Sequence, residues 1–349
     1  MPESSTDGLV VRRHRLLLVL FPAAVVALIA GVAATGTAPS IASRRLAPRA
    51  RDAFGLPVRG SLARRNGRIV YADSGPGGGG WWMFTVNADG RDKKLLSRDG
   101  GISPRWSPDG RKLLFTRDDN LFVMRAGPGA VPRFLIKGPI NGAAGSAGGI
   151  PELAAHWSPD GRRITFATVR GIEVANADGS GRRLLLRTRL RQLYFGDPDW
   201  SPDGGQIVLD GAQWAMLTWP AWVPEQIYVM RPNGTGLRQL TDDTITAHDH
   251  PSWSPDGRWI LFARCPAPWN ASRVSELVLL KPDGSEQRTI ARLPGSDCVS
   301  NMTWSPDGRK ILYLNERTGV EVMNADGSAR RRLLPWALGV SGFSWQPLP

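Results

Sequence analysis

The pentapeptide Trp-Ser-Pro-Asp-Gly occurs five times in this 349-residue chain, at residues 106–110, 157–161, 200–204, 253–257 and 304–308. Successive copies lie 43 to 53 residues apart. A fixed motif with a period in this range is typical of stacked supersecondary units, and the four-stranded blade of a β-propeller has this length. The motif therefore predicts one blade for each of Trp106, Trp157, Trp200, Trp253 and Trp304.

The residue types of the motif indicate a turn between two strands. Ser-Pro-Asp-Gly fits a type I turn, in which Pro fixes the second position and Gly suits the fourth. Each Asp is therefore interpreted as a turn former, and each Trp as an apolar anchor between neighbouring blades. A strand is predicted directly after each turn, at 111–116, 162–167, 205–209, 258–263 and 309–314.

A second turn also recurs along the chain, with Asp-Gly or Asn-Gly at 89–90, 178–179, 233–234, 283–284 and 326–327. These dipeptides are strong hairpin signals between alternating strands. Each repeat thus predicts strands a, b, c and d. Residues 66–71 resemble the start of a strand b, whereas residues 343–347 resemble a strand a with no strand b after it.

The simplest closure pairs this last strand with the first blade, so that no sheet edge is left open. The prediction is an all-β fold, a six-bladed β-propeller of four-stranded antiparallel blades over residues 60–349, preceded by one N-terminal apolar helix. A seventh blade is an alternative only if one of the long loops contains it.

These five repeats resemble the TolB-type propellers with WD40-like Pro-Asp repeats, over about residues 60–349. The resemblance implies a six-bladed propeller that lies outside the cytoplasmic membrane and acts through protein contacts. TolB itself has an α/β domain before its propeller. The sequence shows no such domain between its N-terminal apolar segment and the first blade, so that domain's functions are not carried over.

The N-terminal region predicts export. Basic residues at 12–15 precede an apolar run from Leu16 to about Thr35 and a small-residue tail to Ser43. Residues 1–43 are therefore expected to be a cytoplasmic basic stub followed by either a signal peptide or a membrane anchor. Residues 44–59 are rich in Ala, Pro and Arg and are interpreted as a flexible tether.

Net charge does not indicate a nucleic-acid partner. Residues 1–68 hold eleven Arg against three acidic residues and thus carry most of the formal charge of +13. The propeller keeps a smaller, dispersed excess, and no base-reading or stacking motif accompanies it. No phosphate loop, dinucleotide fingerprint or Gly-x-Ser-x-Gly nucleophile motif occurs either, so no cofactor and no attached serine peptidase are predicted.

The chain contains two cysteines, Cys265 and Cys298. Cys265 follows a predicted strand b, and Cys298 precedes the next strand a, so both lie at the same end of the propeller. Export permits a disulfide between them, and the alternative is a pair of unpaired buried thiols.

Strand alternation assigns the loops to two ends of the propeller. The short a–b and c–d turns lie at one end, and the variable b–c loops and d–a crossovers lie at the other. Seven of the 14 tryptophans fall in or beside these variable connections and predict a ligand-binding face. They are Trp81, Trp82, Trp214, Trp219, Trp222, Trp269 and Trp336. The alternative is that they pack the long loops as a satellite core.

Candidate metal ligands are few. His248 and His250 stand two residues apart, so on an extended segment they point the same way, and Asp242 and His156 are further candidates. A structural role for these four residues is the favoured interpretation, and no metal is predicted.

The sequence therefore predicts a non-catalytic, monomeric, extracytoplasmic propeller, anchored by one N-terminal helix or secreted. It is expected to bind protein or cell-envelope ligands through its tryptophan-rich face. The alternative is an exported hydrolase or lyase that acts on polysaccharide or peptide with a His/Asp site in the propeller mouth.

Overall fold

The computed structural model describes residues 64–74, 80–127, 129–138, 155–188, 193–213, 224–266, 274–294, 298–315, 317–335 and 340–349. All of them belong to one compact unit of the chain, Ala53–Pro349. The N-terminal apolar segment and the predicted tether at 44–59 lie outside the described residues. Within the described ranges, no helix is long and apolar enough to cross a membrane.

The described residues form β-strands joined by turns. In chain order the strands are β1 (Arg65–Ser74), β2 (Trp81–Val86), β3 (Lys94–Ser97), β4 (Ile102–Trp106), β5 (Lys112–Arg117), β6 (Asn120–Arg125), β7 (Arg133–Ile136), β8 (Ala155–Trp157), β9 (Arg163–Thr168), β10 (Gly171–Asn176), β11 (Arg183–Arg187) and β12 (Leu193–Trp200). They continue with β13 (Ile207–Gln213), β14 (Gln226–Met230), β15 (Arg238–Gln239), β16 (Ala247–Trp253), β17 (Ile260–Cys265), β18 (Val274–Leu280), β19 (Gln287–Pro294), β20 (Val299–Trp304), β21 (Lys310–Asn315), β22 (Gly319–Asn324), β23 (Arg331–Pro335) and β24 (Ser341–Leu348).

These strands pair as six four-stranded antiparallel sheets in the described part of the chain, and each sheet is one blade. Blades 2 to 6 each use four consecutive strands, from β4 to β23. Blade 1 has the order β24-β1-β2-β3, with Tyr71 opposite Phe343. The last strand of the chain thus completes the first blade, which confirms the predicted six-bladed propeller and its closure.

The pentapeptide forms the predicted turn between strands a and b. In blade 2, Gly110 donates its backbone N–H to the carbonyl of Ser107 over 2.8 Å, and the Ser107 hydroxyl donates to Asp109 over 2.5 Å. Asp109 also accepts the N–H of Arg111, while the Ser107 oxygen accepts the N–H of Lys112. Because the carboxylate is used in holding the turn, these Asp residues stabilise the scaffold.

The motif tryptophans anchor the seams between blades. Trp106 of blade 2 is 8% exposed and packs with Val70 and Met83 of blade 1. Trp200 of blade 4 likewise packs on blade 3, where its Nε1 donates to the hydroxyl of Thr165 over 2.8 Å. A buried indole fills the space between two twisted sheets with one large apolar surface. The ring is therefore held together by one aromatic anchor per seam.

We call the two ends of this ring the turn end and the connection end. The turn end carries the a–b and c–d turns, and the connection end carries the b–c loops and d–a crossovers. Each innermost strand a begins at the connection end and runs along the central channel toward the turn end.

Candidate functional site

Five of the six innermost strands share a backbone irregularity in the described residues. Three residues before the motif tryptophan, the backbone has a positive φ of 52° at Ser103, 38° at Asp197, 54° at His250 and 49° at Asn301. The strand register shifts at the same points, which identifies a β-bulge in each of these strands. Asp, His and Asn tolerate the left-handed region better than most residues, so the sequence suits this conformation.

Blade 1 has a glycine at the equivalent position. Gly342 has a φ of 68°, and a Cβ there would lie 2.5 Å from the Cα of Ser103. A side chain at residue 342 would therefore collide with the neighbouring blade. The bulges direct one residue of each of these five strands away from the regular alternation, and they create a set of unlike residues around the channel that we call the channel mouth.

Two His–Asp pairs cross the blade seams at the channel mouth. Nδ1 of His250, in blade 5, lies 2.5 Å from Oδ2 of Asp197, in blade 4. Nδ1 of His156, in blade 3, lies 2.9 Å from Oδ1 of Asp199, also in blade 4. The other oxygen of Asp199 accepts the backbone N–H of Trp253 over 2.8 Å. Blade 4 thus uses two carboxylates to bind the blades on either side of it.

Burial opposes ionisation of Asp197, but the nearby positive charges of His250, His156 and Arg105 outweigh it and lower the pKa of this carboxyl. Asp210 behaves in the opposite way. Burial and the charges of Asp197 and Asp249 raise its pKa well above the usual range. Its Oδ2 accepts the backbone N–H of His250 over 3.2 Å. The surroundings therefore lower the pKa of one carboxyl of the site and raise that of its neighbour.

Two further carboxyl groups extend the acidic side. Burial, followed by the charge of Glu225, raises the pKa of Asp249 to about 7. Burial also raises the pKa of Glu225. Carboxyl groups that titrate near neutral pH can both accept and release protons at a functional site. Blades 4 and 5 thus form an acidic side of the channel mouth.

The opposite side of the channel mouth is basic and polar. Arg105 of blade 2 donates through Nη1 to the carbonyl of Phe343 in blade 1 over 2.6 Å, and through Nη2 to Oδ1 of Asn301 in blade 6 over 3.3 Å. A single guanidinium therefore connects three blades. Since the acidic groups belong to blades 4 and 5, the channel mouth has two sides of opposite charge.

His248 lies apart from His250. It is 2% exposed, its ring centroid is 4.9 Å from that of Phe262, and its Nε2 lies 3.6 Å from Oδ2 of Asp243. Burial, with a smaller contribution from the charge of Arg264, lowers the pKa of His248 to about 4. The bulge at His250 breaks the alternation on which the expectation of a shared direction rested. His248 therefore packs within blade 5, while His250 lies at the channel mouth.

The four metal-ligand candidates do not converge on one point. Asp242 is exposed, His156 pairs with Asp199, and the two other histidines have the separate environments given above. Among the described residues, the one group with metal-ligand spacing contains Asp249, Cys265 and Cys298. These cysteines form a disulfide with Cα atoms 5.0 Å apart, so they offer no thiolate to a metal.

Trp81 and Trp82 lie at the start of β2, at the connection end, where both are partly exposed. The ring of Trp82 lies 6.4 Å from that of Phe84, and the guanidinium of Arg98 lies over it at 5.3 Å. The five other tryptophans of the predicted binding face lie outside the described residues: Trp214, Trp219, Trp222, Trp269 and Trp336.

Sequence reasoning missed Arg105, Asp197, Asp199 and Asp210 as site residues. A signal for three of them was present, because residues one and three positions before each motif tryptophan differ in every repeat. The position before the tryptophan is Arg105, His156, Asp199, Ser252 and Thr303 in the five copies. Variation at a fixed position of a repeated unit indicates that the fold does not require a particular residue there. Such a position is available for function. Asp210 lies in strand b and has no such marker.

Comparison with known proteins defines the class of fold. The match with the crystal structure of TolB from Acinetobacter baumannii covers 80% of this chain and 67% of that TolB chain, with a TM-score of 0.59 and 20% sequence identity. Likeness at this identity establishes the fold alone. The chain is thus a six-bladed propeller with the fold of the TolB proteins, as the pentapeptide repeats indicated.

Two curated relatives share shorter stretches. The Tol-Pal system protein TolB of Anaeromyxobacter dehalogenans is 33% identical over 119 residues, which are 31% of this chain and 25% of that protein. Dipeptidyl-peptidase 5 of Porphyromonas endodontalis is 30% identical over 124 residues, 36% of this chain. The chain spans only 16% of the length of that peptidase. No protein-family model matches the chain.

Proposed function

We propose that this chain is an extracytoplasmic binding propeller that captures a protein or cell-envelope ligand at its connection end. The observation that carries the proposal is the channel mouth. Its bulged strands present charged side chains that differ from blade to blade, with carboxyl groups on one side and Arg105 on the other. Such asymmetry gives a ligand one preferred orientation, which a repeated scaffold alone does not provide.

Three further observations support this proposal. The apolar run that begins at Leu16 is typical of an export signal. Solved structures with this fold include a TolB, and a curated relative is named as a Tol-Pal system protein. Partly exposed Trp81 and Trp82 lie at the connection end, and large aromatic side chains are frequent anchors at protein interfaces.

The binding face extends, in this proposal, from the channel mouth to the tryptophan-rich connections. Trp219 and Trp222 fall in the connection between β13 and β14, next in sequence to Glu225. Aromatic side chains here would supply apolar contact area, while the channel mouth would set the orientation of the ligand. The ligand is therefore a protein segment or envelope polymer that carries both a positive and a negative group.

The experiment is capture of partners by a tagged chain in its native cell envelope. Trp219→Ala, Trp222→Ala and Trp82→Ala are expected to lower the yield of captured partner and to leave the melting temperature nearly unchanged. Asp326→Asn, a substitution at the turn end, serves as the control and should capture normally. A large loss of stability with unchanged capture would assign these tryptophans to core packing and contradict the proposal.

A second candidate function rests on the raised carboxyl pKa values. A carboxyl with a pKa of about 7, such as Asp249, is suited to general acid–base catalysis at neutral pH. The candidate is a hydrolase or lyase that acts on polysaccharide or peptide in the channel mouth. Turnover that is lost in Asp249→Asn, with a rate that depends on a group of pKa about 7, would support it. Absence of turnover in the wild-type chain on both substrate classes would exclude it.

A further inference from the structure

The turn end departs from its repeated pattern at one seam. A groove of about 390 Å³ lies between blades 3 and 4, and three arginines from different strands and turns line it: Arg163, Arg183 and Arg231. The amide side chains of Gln206 and Asn233 complete the polar lining. Three guanidinium groups and two amides give this groove a concentration of hydrogen-bond donors.

The three guanidinium groups lack carboxylate partners within the described part of the chain. None of them forms an ion pair there, whereas the adjacent Arg182 donates to Glu173 over 2.7 Å. Arg163 lies over the ring of Trp200, 4.6 Å from its centroid, a cation–π contact that does not neutralise the positive charge of the guanidinium. The carboxylate of Asp160 lies close enough to Arg163 for the two charges to interact, although it forms its hydrogen bonds with Ser158 and with the N–H of Arg162. The charge of Arg163 is therefore partly offset, and no ion pair in the described residues offsets that of Arg183 or Arg231.

Comparison with the other blades explains this imbalance. The c–d turn has Asp at the position of Asn233 in blades 1, 3, 5 and 6, as Asp89, Asp178, Asp283 and Asp326. In blade 4 the carboxylate is replaced by a neutral amide. Two positions earlier, blade 4 has Arg231 where blades 1, 3 and 6 have Asn. Both differences make this seam more positive than those at blades 1, 3 and 6, whereas blade 5 has the basic Lys281 at the position of Arg231 and differs by its Asp283 alone.

We propose that this groove, called the basic groove, is a binding site for phosphate oxyanions. Guanidinium groups form paired, charge-assisted hydrogen bonds with phosphate oxygens, and their planar shape matches two oxygens at once. Three of them around one groove balance the charge of a phosphate group and hold it in one place. The groove has the volume of a typical small-molecule site, so it accommodates a phosphate together with part of the molecule that carries it.

The test is calorimetric titration of the full chain in non-ionic detergent with inorganic tripolyphosphate at physiological ionic strength. Saturable binding at one site is expected for the wild type. Arg183→Gln and Asn233→Asp are each expected to weaken it about tenfold or more, because one removes a donor and the other restores the missing carboxylate. Asn233→Asp keeps the turn, since Asp occupies this position in four other blades.

Arg309→Gln is the matched control, because it removes the same charge from the turn end at blade 6. Unchanged affinity in this variant, with loss in the other two, supports the basic groove as the site. Equal losses in all three variants, or full binding by Asn233→Asp, would overturn the proposal and indicate diffuse attraction to a basic surface.

A second part of the experiment identifies the kind of molecule that carries the phosphate. Vesicles of phosphatidylglycerol are compared with vesicles of phosphatidylcholine and with free inorganic phosphate. Flotation with the anionic vesicles that Asn233→Asp abolishes assigns the site to a lipid headgroup. Binding of the soluble phosphates without flotation assigns it to a free or polymer-borne phosphate. Failure to bind any of these probes contradicts the proposal.

Discussion

The turn end of the blades has a sequence that repeats from blade to blade, whereas the residues of the channel mouth differ in each blade. At the turn end, Ser-Pro-Asp-Gly recurs with the same hydrogen bonds in five blades, so the Ser hydroxyl and Asp carboxylate have one structural task. At the channel mouth, equivalent positions hold Ser103, Asp197, His250 and Asn301, and no two of them are alike. The residues that repeat from blade to blade are therefore those that hold the scaffold together, and the positions that vary from blade to blade are those available for function.

The largest effect is expected where the ring is anchored. Trp200→Ala removes a buried indole and its hydrogen bond to Thr165, and it should lower the free energy of unfolding by about 3–5 kcal/mol. Trp82→Ala, at the connection end, should lower it by about 1 kcal/mol or less because the side chain is partly exposed. Urea denaturation of both variants measures the contrast. Equal losses would show that Trp82 is also an anchor.

The disulfide is expected to have the next largest effect. Cys265 and Cys298 are 33 residues apart in sequence, and closing a loop of that length stabilises the folded state by about 4 kcal/mol. The double variant Cys265→Ser/Cys298→Ser should therefore melt at a lower temperature. The effect of a thiol reductant on the melting temperature should disappear in this variant. A reductant that leaves the wild-type melting temperature unchanged would contradict the expectation.

His248 and Asp249 should give opposite pH dependences of the free energy of unfolding. The pKa of His248 falls from 6.5 to about 4 on folding. Between about pH 4 and 6.5 the unfolded state therefore binds more protons than the folded state, so the free energy of unfolding rises with pH. The full shift corresponds to about 3 kcal/mol. The pKa of Asp249 rises from 3.8 to about 7 on folding. The folded state therefore binds the proton of Asp249 more tightly than the unfolded state, and this stabilisation is lost as pH increases from about 4 to 7.

Variants separate these two contributions. In His248→Gln the free energy of unfolding should decline from about pH 4 to pH 7, and in Asp249→Asn it should increase over the same range. Urea titrations at several pH values between those limits measure both slopes. Identical profiles for the two variants would show that neither group has the shifted pKa on which this difference depends.

A smaller effect than the loss of the disulfide is expected in a single turn. Ser107→Ala removes the hydroxyl that donates to Asp109 and accepts the N–H of Lys112, at a cost of about 1–2 kcal/mol. Ser305→Ala, in the same turn of blade 6, is the matched comparison because its bonds to Asp307 and Lys310 have the same lengths within 0.1 Å. Similar losses in both variants are expected. A loss in one variant alone would show that the turns are not equivalent.

The fold was predictable because its determinants are local and repeated. The turn at Ser107 depends on four consecutive residues, and the closure of blade 1 follows from a strand a at residues 343–347 that has no strand b. The predicted strand 111–116 differs by one residue from β5 (Lys112–Arg117).

The channel mouth was less predictable because its contacts cross blades. His250 and Asp197 are 53 residues apart in sequence, and Arg105 and Asn301 are 196 residues apart. The bulge at His250 also reverses the side-chain alternation that the extended strand predicted. Pairs of this kind require the closed ring, and no local pattern specifies which residues of different blades meet.

Site-specific photo-cross-linking in cells tests the central claim most directly, that recognition takes place at the connection end. A photoreactive amino acid is placed at Trp82 in one variant and at the exposed turn residue Asp326 in another. The account predicts a discrete cross-linked species with the probe at residue 82 and none with the probe at residue 326. Cross-linking from residue 326 alone would place recognition at the turn end and contradict the account.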